Sequence, residues 1–167
     1  MERMEVRVLY QNVGRGGDAT HIFLQTAVEL GAVIAVTAGE RGRRKQQPGY
    51  EIAYESDDIV VYRIRGSLVT VRGQGNSALA EGDMAIAYLR PKLNRNIARS
   101  RLREMERRGA STFMGDFNCH GHGKDRMLQE WTEEEELMDI GTAEYTHRWG
   151  AHRCTIDRIL TRGGARP

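Results

Sequence analysis

The run Ala32-Val-Ile-Ala-Val-Thr37 constrains this chain most. It is apolar at consecutive positions, as strands covered on both faces by other layers are, so the chain has to build layers around it. What precedes it fits that demand. Val6-Arg-Val-Leu-Tyr10 reads as a strand that ends at Gln11-Asn12 and breaks at Gly14-Arg-Gly-Gly17. A helix follows, capped by Asp18 or Thr20, with Ile22, Phe23, Ala27, Val28 and Leu30 at helical spacing and Gly31 at its stop. The glycine-rich turn lacks both the Walker Lys-Ser/Thr and the GxGxxG order, which argues against a nucleotide-binding fold.

Beyond Gly39-Glu40 and a basic loop, Tyr50 to Tyr54, Ile59 to Ile64 and Leu68 to Val71 read as an antiparallel meander. Asp83 to Leu89 is the next strand, stopped by Pro91. Asn94 or Asn96 then caps a helix to Arg108 whose inward residues are Ile97, Leu102 and Met105. A strand from Ser111 to Met114, a helix from about Asp125 to Met138 burying Trp131, a loop or edge strand from Thr142 to Trp149 and a strand from Cys154 to Leu160 complete the chain. Sheets packed between helices are the expected architecture.

The chemistry concentrates in Phe113-Met-Gly-Asp-Phe-Asn-Cys-His120. Gly115 offers a sharp turn, and alternation along an extended segment puts Asp116 and Asn118 on one face. A carboxylate and a carboxamide at the mouth of a sheet can hold a hydrated Mg²⁺, orient a water or bond a phosphate. They can equally be an Asx turn that bonds only nearby backbone N–H groups. By residue type alone both readings stay open.

The 167 residues fit one domain able to bury a core without disulfides, and the two cysteines, Cys119 and Cys154, sit in no zinc spacing. An intracellular protein, extending to the nucleus, is expected, with no membrane segment. Net charge is only +2, yet Arg41, Arg43, Arg44 and Lys45 form one basic loop, and Lys92 to Arg108 holds seven more basic residues. Both stretches, and the Arg99/Arg103/Arg107 face in particular, suit a polyanion.

Taken in order, Gln11-Asn12-Val13, the LQTAVELGA helix, Gly115-Asp-Phe-Asn118 and Thr155-Ile-Asp157 resemble the endonuclease/exonuclease/phosphatase family, the deoxyribonuclease I-like enzymes. The phrases QNVGRG, PGYEI, LRPKLNR, GDFNCH and TIDRIL are most similar to its retrotransposon-type endonuclease branch. The resemblance implies a four-layer α/β sandwich of two mostly antiparallel sheets packed between helices, one domain over residues 1–167. It implies a Mg²⁺-dependent endonuclease, Mn²⁺ substituting, that acts on DNA in preference to RNA. Asn12 and Glu40 would serve the metal, Asp116 would polarise the attacking water, Asn118 would bind the scissile phosphate, Asp157 would orient a final histidine or help bind the metal, and Arg15, Arg43, Arg44, Lys45 and Arg90 would hold the nucleic acid.

Three departures from the family pattern shape the expectations. An ungapped alignment puts Gly39 at the metal-glutamate position and Glu40 one residue later, so a bulge must re-aim Glu40. Leu89 has the spacing of the catalytic tyrosine and Tyr88 is one step off, where it would face the core. No histidine follows Asp157 in the ten residues to Pro167, which leaves His120, His122 or His152 as its substitute, an impaired activity, and a sheet edge open to a second copy for homodimerisation. Trp149 is a candidate for contact with nucleic acid. The alternatives are a catalytically degenerate member that binds nucleic acid or protein, and a phosphatase acting on a small phosphoester.

Overall fold

The computed structural model describes residues 7–14, 18–39, 49–119, 123–140, 147–149, 152–154 and 157–162. Two mixed sheets, of four and six strands, are flanked by three helices in an α/β sandwich arrangement, and most strand pairs are antiparallel. The chain divides into two compact units, Met1–Glu81 and Gly82–Pro167. Among the described residues, no helix is long and apolar enough to cross a membrane.

The first unit is built on β2 (Ile34–Ala38), all five of whose residues are buried. It pairs in parallel with β1 (Val8–Asn12) and antiparallel with β4 (Ile59–Ile64), which pairs in turn with β3 (Tyr50–Glu55). The parallel pair needs a crossover, and α1 (Asp18–Glu29) supplies it. Phe23, Leu24 and Ala27 of α1 enter a core with Ala35, Val60 and Tyr62. Ile22, Val28 and Leu30, expected inside, are exposed instead. The helix has more apolar positions than one stripe can bury, and the buried one runs through Leu24. Gly31 ends the turn at φ +68°, with its N–H donated to Val28 O. Tyr50 donates its hydroxyl to Ala32 O at 2.7 Å, and burial raises its pKa.

The expected meander stops after two strands. Leu68 is 92% exposed, and the next strand, β5 (Val71–Gln74), pairs with β6 (Ser77–Ala80) rather than with β4. Gly73 in β5 leaves room for the Tyr54 ring, since a Cβ there would lie 1.9 Å from Tyr54 Cδ2. The Tyr54 hydroxyl continues across to Gly75 O.

In the second unit the strand order is β7 (Met84–Tyr88), β8 (Thr112–Asp116), β12 (Asp157–Thr161) and β9 (Met138–Asp139). The β7–β8 pair is parallel, connected by α2 (Arg95–Arg107), and β12 runs antiparallel to both its neighbours. Asn94 caps α2 by accepting from Ile97 N. Ala98, Leu102 and Met105 form the buried face, and Ile97 lies outside it. The third helix, α3 (Lys124–Glu134), ends four residues short of Met138, which sits exposed in β9. Trp131 of α3 is core, as expected, meeting Phe113 edge-on at 5.0 Å and 85°. Such a pair contributes about 0.5–1.5 kcal/mol beyond its burial. A separate hairpin pairs β10 (His147–Trp149) with β11 (His152–Cys154), so the segment expected as one strand from Cys154 to Leu160 is divided between β11 and β12.

Candidate active site

Strand β8 carries the site to the end of its sheet. All five residues are buried, and the strand survives its glycine because Gly115 sits at φ +147° with the neighbouring strand pressed against it. A Cβ at 115 would lie 1.9 Å from Ala87 O, so this glycine serves a close approach of two strands and not the turn its type suggested. Asp116 follows at the strand's last position, 2% exposed. Its register partner on β7 is Tyr88, and its partner on β12 is Asp157. Three neighbouring strands thus place Tyr88, Asp116 and Asp157 in one row. The β7–β8 ladder runs one bond further, from Leu89 N to Asp116 O at 2.8 Å.

Asn118 is not reached by continued alternation. Its backbone turns into the left-handed region at φ +44°, where asparagine is tolerated better than most residues. Asn118 N donates to Asp116 Oδ1 at 3.1 Å, and the carboxamide Nδ2 donates to Leu89 O at 2.7 Å. Both side chains are buried and both bond the main chain, so an Asx turn is present. A carboxamide nitrogen carries two N–H donors, of which Leu89 O takes one.

Cys119 closes the turn at 3% exposure. Burial pushes its thiol up to about 11, against the lowering influence of Lys124 and Arg158 and with a further push from Asp116 and Asp125. A thiol held that high is a packing residue rather than a nucleophile.

Asn12 ends β1 opposite Ala38, exposed, with its Oδ1 accepting from Gly14 N at 3.0 Å. Gly39 follows β2 at φ +76°, and a Cβ there would lie 2.7 Å from Gly14 O and 3.3 Å from Asn12 Oδ1. A side chain therefore does not fit at 39. If this unit supplies a carboxylate here, it has to come from another position, such as Glu40.

Several expected site residues lie outside the described residues: Arg15, Glu40, Arg43, Arg44, Lys45, His120 and His122. For Asp157, Trp149 and His152 the backbone alone is described, with His152 paired to Trp149 in the hairpin. Arg90 is exposed on the connection from β7 to α2. Leu89 is buried, while Tyr88, expected to turn to the core, is only half-buried and stands beside Asp116. Its one-residue offset from the family spacing hid it. On α2, Arg99 holds Glu134 with Nη2 at 2.7 and 2.6 Å, and Arg103 approaches the same carboxylate at 3.6 Å. Two of the three arginines expected to face a polyanion are thus engaged with α3.

The donor set assigned from sequence, Asn12, Glu40 and Asp157 with Asp116 added, is all oxygen and suits a hard cation such as Mg²⁺. Among the described residues, however, no three His, Cys, Asp or Glu side chains gather as a metal cluster.

No protein-family model matches the chain, and no curated protein matches it. Solved structures do. The endonuclease domain of TRAS1, a telomere-specific non-LTR retrotransposon, is similar with a TM-score of 0.64 at 15% identity, over 94% of this chain and 84% of that one. D. rerio TDP2 complexed with single-strand DNA product gives 0.55 at 12%, over 97% and 86%. An endonuclease/exonuclease/phosphatase family protein from Leptotrichia buccalis gives 0.52 at 11%, over 97% and 89%. The chain shares the fold of these solved structures, a retrotransposon endonuclease domain among them.

Proposed function

We propose that this chain is a Mg²⁺-dependent phosphodiesterase that cleaves nucleic acid, DNA in preference to RNA, as a retrotransposon-type endonuclease. The reading rests above all on the register that sets Asp157 directly across from Asp116, with Asn118 locked two residues further on. Two carboxylate residues and a carboxamide at one strand end make a sparse but apt set for phosphodiester hydrolysis.

In this reading Asp116 accepts the proton of the attacking water. Asn118 directs its second carboxamide N–H at a non-bridging phosphate oxygen, its first being anchored on Leu89 O. Asp157 would help to hold the cation, which when bound offsets the charge that builds on the phosphate oxygens. Each group would be worth roughly 3–6 kcal/mol of barrier.

Nicking of supercoiled plasmid tests the proposal, with Mg²⁺, Mn²⁺ or EDTA and with Asp116→Asn. The amide keeps an oxygen for the Asn118 N–H while removing the base, so the variant should fold and lose about 10²- to 10⁴-fold in rate. Nicking that persists in EDTA or in the variant would contradict it. A second reading, a member that binds nucleic acid or protein without cleaving, is favoured by one observation: Asp116 and Asn118 are both bonded to the main chain as a structural turn. DNA shifted on a gel by a wild-type protein that never nicks it would favour that reading.

A further inference from the structure

Beside the start of α2 lies a cavity of ≈ 720 Å³ whose lining includes Lys92, Arg95 and Lys124, with Asn94 and Asn96, and no acidic residue. Two contacts tie Lys124 and Arg95 to this place, and Lys92 follows Pro91 in the chain. Lys124 Nζ reaches back to Pro91 O at 2.6 Å, and Arg95 packs against Gly123, where a Cβ would lie 3.5 Å from its Nη1. Gly123 sits at φ +74°, and a methyl there would make only ordinary contact with the guanidinium.

The charge balance here differs from that around four arginines elsewhere in the unit. Arg99, Arg126, Arg158 and Arg162 each hold a carboxylate. Among the described residues, Lys92, Arg95 and Lys124 make no ion pair, although Lys124 is only 4% exposed. A buried ammonium facing a neutral carbonyl lacks the countercharge that normally accompanies burial, and an anion entering the cavity would supply it. The positive pole of α2 adds to the same field.

The cavity also adjoins the candidate active site. Asn118 holds Leu89 O and Lys124 holds Pro91 O, two residues later on the same connection. Two residues span at most about 7 Å, close to two nucleotide rises of about 3.4 Å. We propose that this cavity binds a backbone phosphate of the nucleic-acid strand, one or two nucleotides from the scissile one. The proposal rests on the phosphodiesterase reading for its ligand and on the cavity alone for its place.

The test is anisotropy of a fluorescein-labelled oligonucleotide in EDTA, where binding is read without cleavage. Lys92→Ala/Arg95→Ala, both at exposed positions, should bind about tenfold more weakly. Its log–log salt slope should fall by about 0.7 on single-stranded or about 0.9 on duplex substrate, the value for one phosphate no longer neutralised. Arg126→Ala, whose arginine pairs with Glu130 on α3, should leave both unchanged, and Lys92→Arg/Arg95→Lys should restore most of the affinity. Affinity within twofold of wild type with an unchanged slope in the double-alanine protein, or a wild-type protein that binds no oligonucleotide, overturns the proposal. Weakened binding by a protein that never nicks plasmid would fail the cleavage reading and keep the phosphate site. Plasmid nicking with insensitive binding would do the reverse.

Discussion

Asn118 shows how much one residue is asked to do. Its backbone occupies the left-handed region, its N–H closes on Asp116 and its carboxamide secures Leu89 O. Alanine at 118 loses the bond to a buried carbonyl and is strained at φ +44°. Asn118→Ala should therefore cost about 2–4 kcal/mol in urea unfolding, and Asn118→Gly, which relieves the backbone alone, should cost less. Equal losses in the two variants would mean that the dihedral contributes nothing. The position of this turn was legible from residue type, because glycine, aspartate and asparagine after an apolar strand are turn formers. Its register was not: nothing local in Thr155-Ile-Asp157 says that residue 157 stands opposite residue 116.

Among the elements, β2, the Gly31 stop of α1 and the Asn94 cap of α2 follow directly from local chemistry. What sequence misses is phase and partner. Ile22, Val28 and Ile97 satisfy helical spacing yet face outward, since a period does not say which of two adjacent apolar stripes is covered. Strand β6 is three small residues and a leucine, Ser77-Ala-Leu-Ala80, with no β-branched signal, and it forms because β5 pairs with it. The close approach of β7 and β8 is similarly a matter of partners. Gly115→Ala would push a methyl into Ala87 O, and we expect about 3 kcal/mol or more of destabilisation, with the Phe113–Trp131 packing disturbed. A loss of stability below about 1 kcal/mol in urea unfolding would show that the strands can part freely.

A carboxylate cluster ties three elements of the second unit together. Arg162, just past β12, bonds Glu106 of α2 at 3.1 Å and Glu135, after α3, at 2.7 Å, while Trp131 Nε1 donates to Glu106. Burial, with repulsion from Glu135, raises the Glu106 pKa over the opposing pull of Arg162. The folded chain thus holds this proton to higher pH than the unfolded chain does. Its contribution is fully present below the ordinary glutamate value and falls as pH rises through the raised one. Glu106→Gln keeps an acceptor for Trp131 and removes the titration, so the variant should gain on wild type as pH rises above the ordinary glutamate value in paired urea melts. A difference that shrinks with rising pH would reverse the assignment.

At the scale of the whole molecule, a net charge of +2 conceals an uneven division of labour. Arg63, Arg99, Arg126, Arg158 and Arg162 are held by carboxylates, so their charge is largely neutralised locally. On the proposed reading, the 41–45 loop and the connection leading into α2 are the basic stretches expected to attract the polyanion. Replacing Arg43, Arg44 and Lys45 by alanine should lower the log–log salt slope on duplex DNA by about 0.9 for each phosphate these side chains neutralise, up to about 2.7. An unchanged slope would exclude the loop.

The two carbonyls that follow β7 are gripped by side chains from elsewhere in the second unit, Leu89 O by Asn118 and Pro91 O by Lys124. Drift would find this tether hard to erase. A chain with this turn that cuts nothing would still be selected to keep its asparagine, because discarding it loosens the molecule before any reaction is considered. Finding the motif intact in some other genome would then testify to a protein that still folds, and only a measured turnover would testify to one that still cuts.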